Sequence, residues 1–163
     1  MSEEKSGSLS RIEAKIVREL QEDGRITYSE LARRVGLSTT ACIERVRKLE
    51  REKVIRGYTA IIDPEAVGRG FLVLVQVTLT KNSQATFQAF NKAVKALEEV
   101  QECYLISGNF DYLIKARVKD MNHYRAFLGE TLLSLPGVQE SVSNPVMEQV
   151  KETLQLPVAL RDL

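Results

Sequence analysis

The chain has 163 residues, of which 44% are hydrophobic and 28% charged, and its formal net charge is +1. That composition is ordinary for a globular protein; it excludes a disordered polymer and a protein whose whole surface is a basic field. No apolar run approaches the roughly 20 residues of a membrane span, and the polar, mixed-charge start over residues 1–10 is unlike a secretory signal, so a cytoplasmic protein is expected.

The first predicted element is an amphipathic helix beginning near Leu9, in which Ile12, Ile16 and Leu20 recur every four residues beside Val17. Asp23-Gly24-Arg25 stops it, with Gly24 placed to take a left-handed C-cap. Thr27-Tyr28-Ser29-Glu30 has capping-box spacing: Thr27 caps a short helix over residues 28–35, and Glu30 is expected to reach back to the Thr27 amide. Gly36-Leu37 forms a tight turn, Ser38 caps again, and a third helix runs from Thr39 to about Glu52.

A short helix, a glycine turn and a second helix make the layout of the helix-turn-helix, whose second helix enters the DNA major groove. Along the third helix Cys42, Val46 and Leu49 form an inward stripe. Thr40, Glu44, Arg47 and Arg51 lie opposite, with Arg45 and Lys48 on the flank. Residues 25–56 carry nine basic and four acidic side chains, a local excess of +5 on a chain whose remainder sums to −4. Such a confined field attracts phosphate even on a nearly neutral protein.

The candidate DNA contacts are therefore Arg33, Arg34, Ser38, Thr39, Thr40, Glu44, Arg45, Arg47, Lys48, Arg51 and Arg56. Arg47 and Lys48 suit guanine edges or phosphates, and Glu44 suits a cytosine amine. The β-formers of residues 54–62 are expected to build a strand or hairpin, a wing beside the helices. Asp63-Pro64 closes this first domain, residues 1–63, and residues 64–70 read as a hinge.

A second domain spans residues 71–163. Phe71, Val73, Val75, Val77 and Leu79 alternate on one face of a first strand, and Asn82-Ser83 caps a helix bearing Phe87, Phe90, Val94 and Leu97. Strands over residues 100–107 and 112–118 flank the turn Gly108-Asn109-Phe110-Asp111. Asp120 caps a second helix with Tyr124, Phe127, Leu128, Thr131 and Leu132 inward, and Leu135-Pro136-Gly137 breaks it before a last strand over residues 138–146.

This β-α-β-β-α-β order is that of the ferredoxin-like fold, an antiparallel sheet with both helices on one side. Leu72 and Leu74 make the open sheet face more apolar than a solvated one, which implies a partner, most simply a second copy. The one place with candidate chemistry is Ser107-Gly108-Asn109-Phe110-Asp111. Glycine there allows close backbone approach and Asp111 can take an α-amino group, while the same residue types also serve any tight strand turn.

The two cysteines, Cys42 and Cys103, lack any metal-ligand spacing and are expected to be reduced core thiols, with no metal. The single histidine, His123, has no accompanying nucleophile–base pair or phosphate loop, so no catalysis is expected.

Several runs in both domains together resemble the Lrp/AsnC, or feast/famine, family of transcription regulators. They are residues 20–26 (LQEDGRI), 34–38 (RVGLS), 42–50 (CIERVRKLE), 57–60 (GYTA), 101–103 (QEC), 107–113 (SGNFDYL) and 135–138 (LPGV). The resemblance covers nearly the whole chain. It implies an α+β protein with an N-terminal winged helix-turn-helix and a C-terminal ferredoxin-like βαββαβ (RAM) domain that binds an effector and oligomerises. It further implies dimers that assemble into octamers or similar rings around double-stranded DNA, control of amino-acid metabolism genes, and an amino-acid effector such as leucine, with no other cofactor.

The family's effector site maps to Gly108, Phe110 and Asp111, with Ser107, Asn109, Tyr112, Met121 and Tyr124 as neighbours. Two departures stand out. Thr39 and Ala41 occupy positions beside the recognition-helix start where relatives often have prolines, and Asn109 stands where an acidic residue is common. The alternative on the same DNA-binding domain is an architectural, nucleoid-type protein without an effector.

Overall fold

The structure, a computed structural model, describes residues 9–80 and 83–159; Asn82 of the expected cap lies outside them. The chain divides into two compact units. The first runs through Ile61 and takes back the segment beginning at Glu152, and the second is Ile62–Lys151.

The first unit holds α1 (Arg11–Glu22), α2 (Tyr28–Val35) and α3 (Thr39–Arg51). Ile16, Leu31, Ala32, Val35, Cys42, Val46 and Leu49 form its core. Full burial of each large aliphatic among them contributes about 1.5–3 kcal/mol. The turn between α2 and α3 rests on Gly36, which caps α2 at φ 75 and ψ 38, a left-handed conformation that a side chain would strain.

The caps correct two expectations. Thr27 Oγ1 does accept from the Glu30 amide at 3.3 Å, but the Glu30 carboxylate turns outward to Arg33 and Arg34 instead of back to Thr27. Two guanidinium groups at i+3 and i+4 outcompete one neutral amide for an anion. The complete capping box stands at α1, where Ser10 Oγ accepts from the Glu13 amide and Glu13 Oε2 accepts from the Ser10 amide. At the other end of α1 the cap is Asp23 in extended backbone, not a left-handed Gly24, and Asp23 Oδ1 accepts from the Arg25 amide at 2.8 Å.

Residues 54–62 form no strand, so the expected wing is absent. A β-ribbon needs a second strand to satisfy its backbone, and within this unit the segment is held by other means. Val54 and Ile55 amides donate to the Leu49 carbonyl, and the Tyr58 hydroxyl donates to Glu50 Oε1 at 3.0 Å.

The returning segment also departs from a second domain reaching to residue 163. Gln21 Oε1 accepts from the Leu156 amide at 2.7 Å, its Nε2 donates to the Leu156 carbonyl at 3.0 Å, and Gln155 Nε2 donates to the Gln21 carbonyl at 3.1 Å. The last carbonyls of a helix lack intrahelical partners, and this tail supplies one to α1.

In the second unit β1 (Phe71–Leu79), α4 (Gln84–Val94), β2 (Val100–Leu105), β3 (Tyr112–Val118), α5 (Met121–Ala126) and β4 (Val138–Pro145) follow in chain order. The sheet order is β2-β3-β1-β4, with every neighbouring pair antiparallel. This is the ferredoxin-like arrangement the element order predicts. Val73, Val75, Val77 and Leu79 pack with Ile114, Ala116 and Val118 under Phe90, Val94, Tyr124 and Phe127. Beyond α5 the helix widens into a π-turn over Phe127–Thr131 and closes with a 3-10 turn at Leu132–Ser134. Among the described residues no helix is long and apolar enough to cross a membrane.

The open face is less bare than its sequence suggests. Leu72 is buried, Lys115 pairs with Glu102 at 3.0 Å, and the buried Arg117 reaches both Gln101 and Gln149. Tyr104 and Val142 remain exposed.

Candidate DNA-binding helix and effector turn

One cap and a buried stripe set the outward face of α3. Ser38 Oγ accepts from the Ala41 amide at 3.3 Å, so Ser38 starts the helix. Cys42, Val46 and Leu49 then anchor its inner side. At 3.6 residues per turn that anchoring leaves Thr40, Glu44, Arg47 and Arg51 facing solvent, and all four are exposed. Thr39 is exposed at the first helical position.

The basic candidates fall into two classes. Arg33 and Arg34 are both held by Glu30, and Arg34 also meets Glu19 at 2.9 Å. Hydrogen bonds from Arg33 and Arg34 hold the Glu30 carboxyl down at about 2. Lys48 and Arg45 both reach one carboxylate, Glu13, at 2.8 Å and 3.6 Å from its Oε1. Arg47, Arg51 and Arg56 make no ion pair with any described residue. The α3 face thus presents two unpaired guanidinium groups, one carboxylate and two threonines, a set that can address phosphates and base edges together.

Glu13 is the residue that reading along the chain passes over. Its side chain is only 7% exposed, and it sits on the inner side of α1 facing α3. The hydrogen bond from Lys48, followed by that from the Ser10 amide, holds its carboxyl down at about 2 against the pull of burial. The signal present in the sequence is Ser10-x-x-Glu13, a capping-box spacing at the start of an amphipathic helix.

In the second unit the turn between β2 and β3 presents exposed Ser107, Gly108 and Asn109, with Phe110 and Asp111 half-buried. Gly108 has φ 152, outside the usual range of residues with a Cβ. Asp111 locks the turn to β1. Its Oδ2 accepts from the Leu79 amide at 2.7 Å, its own amide donates to the Val77 carbonyl, and its carbonyl accepts from Ile106. One carboxylate oxygen is therefore committed to the scaffold, and the other has no described partner.

The other expected effector residues do not gather there. Tyr112 is buried, its ring 4.4 Å from that of Phe90 and its hydroxyl donating to Asn91. Tyr124 is buried against Phe71, with its hydroxyl donating to Ser143 Oγ at 2.6 Å. Both are core residues in this chain. In the β1–β3 register Val77 pairs with Tyr112 and Phe71 with Val118, so the Asp111 turn and the Phe71 end lie at opposite ends of β1. Tyr124 and the exposed Met121 belong to the Phe71 end, roughly 20 Å from the turn at about 3.3 Å per strand residue. A single copy cannot bring Met121 and Asp111 to one small molecule.

Residues 9–50 match the AsnC-type helix-turn-helix domain, and residues 72–156 match the Lrp/AsnC ligand binding domain. The chain is 52% identical over 153 residues to the leucine-responsive regulatory proteins of Klebsiella pneumoniae and Escherichia coli, covering 94% of this chain and 93% of each relative. Among solved structures, a transcriptional regulator of Neisseria meningitidis in complex with L-methionine superposes with a TM-score of 0.87 at 36% identity, covering 92% of this chain and 97% of that one. A feast or famine regulatory protein of Mycobacterium tuberculosis, also complexed with L-methionine, gives 0.84 at 34% identity, covering 91% and 99%.

Proposed function

The chain belongs to the Lrp/AsnC family of transcriptional regulators, and from that premise we propose that it is a sequence-specific DNA-binding regulator of amino-acid metabolism genes whose activity responds to an amino acid. The observation that carries this reading is the exposed face of α3, where Arg47 and Arg51, beside Thr40 and Glu44, have no ion-pair partner among the described residues. In a helix-turn-helix such a face meets the major groove while the preceding helix crosses the backbone. Arg47 reads a guanine edge, and Arg51 and Arg56 bind phosphate.

The effector is an amino acid with an apolar side chain. Relatives named for leucine and neighbours complexed with L-methionine support this class. Gly108 and Asn109 offer the approach, and the uncommitted oxygen of Asp111 receives the ammonium group. Met121 joins the site only from another copy, so effector binding and assembly are coupled. The apolar residues left exposed on the sheet, Tyr104 and Val142, support a homodimer that builds a larger ring. The protein works in the cytoplasm, on double-stranded DNA, and catalyses nothing.

The test is titration of a fluorescent operator duplex with and without leucine or methionine, repeated for Arg47→Ala. Loss of sequence preference in the variant and a shift of the wild-type isotherm by one amino acid are expected. An Arg47→Ala variant with unchanged preference would remove α3 from the groove.

A further inference from the structure

Glu13 is a buried acid facing the recognition helix from behind. Its side chain is 7% exposed, its Oε2 is spent on the Ser10 amide, and its Oε1 takes Lys48 Nζ at 2.8 Å with Arg45 at 3.6 Å. Lys48 and Arg45 are themselves nearly half exposed, at 43% and 45%, so solvent and phosphate could otherwise reach them. For Lys48 to bind phosphate it would have to leave an ionised carboxylate buried without its main partner, and that loss is far larger than the gain from one solvated phosphate contact. The helix can spend its remaining cations freely, because Arg47 and Arg51 have no ion-pair partner among the described residues.

We propose that Glu13 sets the strength of backbone binding: by holding Lys48, and with it Arg45, off the DNA backbone, it lowers affinity for cognate and random duplex alike while leaving base reading to Arg47. Non-specific binding comes from phosphate neutralisation and counterion release, so each cation withdrawn from the backbone weakens random and cognate DNA alike. Base contacts are untouched, so the ratio of cognate to random affinity stays the same while both affinities fall and their salt dependence becomes gentler. Local geometry permits a clean probe. Glutamine at position 13 can still accept from the Ser10 amide, since the capping box takes Glu or Gln, but it cannot neutralise Lys48.

The inference rests on α3 being the recognition helix, and the experiment separates the two. Affinities of the full chain for a cognate and a random duplex are measured across salt concentrations for wild type, Glu13→Gln, Lys48→Met and Arg47→Ala. Glu13→Gln is expected to bind cognate and random duplex several-fold tighter alike, with a salt slope steeper by about 0.9 for each cation freed, and to keep its cognate preference. Lys48→Met is expected to leave the wild-type slope unchanged, and the Glu13→Gln effect should shrink on that background.

A Lys48→Met slope shallower by about 0.9 would show that Lys48 already binds phosphate and would overturn the proposal, even if Glu13→Gln failed to fold. Unchanged slope and unchanged random-duplex affinity in a folded Glu13→Gln, with Arg47→Ala still deficient, would overturn it alone. An indifferent Arg47→Ala would bring down the recognition-helix reading as well.

Discussion

The Asp111 carboxylate accepts a hydrogen bond of 2.7 Å from the Leu79 amide, tying the loop between β2 and β3 to the end of β1. This makes Asp111 a scaffold residue and an effector candidate at once. Asp111→Ala would leave the Leu79 amide without its partner, at a cost of about 1–3 kcal/mol. Asp111→Asn keeps an acceptor oxygen and removes the charge. Urea unfolding is expected to show Asp111→Ala weakened and Asp111→Asn near wild type, while both lose the amino-acid response in a DNA-binding titration.

Tyr124 offers the complementary case. Its hydroxyl is engaged with Ser143 and its ring with Phe71. Tyr124→Phe should cost about 1 kcal/mol of stability, the net value of one buried hydrogen bond. The effector response of Tyr124→Phe should stay intact when compared by the same titration; a selective loss of response at normal stability would return Tyr124 to the binding site.

The contrast between these two residues shows what the sequence makes legible. The turn glycines, Ser38 and the alternation of β1 are local signals, and α2 and β3 fall where local patterns place them. Tyr112 and Tyr124 sit beside a motif in the chain, but the phase of strand and helix turns both rings into the core. The β-formers of residues 54–62 favour a wing, yet strand formation depends on a partner that no local pattern supplies. The pairing of Glu13 with Lys48 joins residues 35 positions apart, so it emerges only when α1 packs on α3.

Gly36 supports a stability prediction of its own. With φ at 75, alanine at this position must adopt a left-handed backbone although open space surrounds it. The penalty expected is about 1–2 kcal/mol. Thermal melting should register it, and DNA affinity measured well below the melting point should change little.

The Glu13 carboxyl, held at about 2 in the folded chain, gives a pH dependence with a definite sign. Its ordinary value is 4.5, so its contribution to stability is present above that pH and is lost as the pH falls from about 4.5 towards 2. Urea midpoints followed over this range should fall for wild type. The fall should be shallower for Glu13→Gln, which has no proton to take up at that position.

A regulator that reads sequence and responds to an amino acid is tested most directly by selection of bound duplexes from a random library, run with and without a pool of amino acids. An enriched inexact palindrome is expected, its recovery changing with the pool and the change persisting with leucine or methionine alone. No enrichment at all would contradict sequence-specific binding, and enrichment indifferent to every amino acid would contradict the effector.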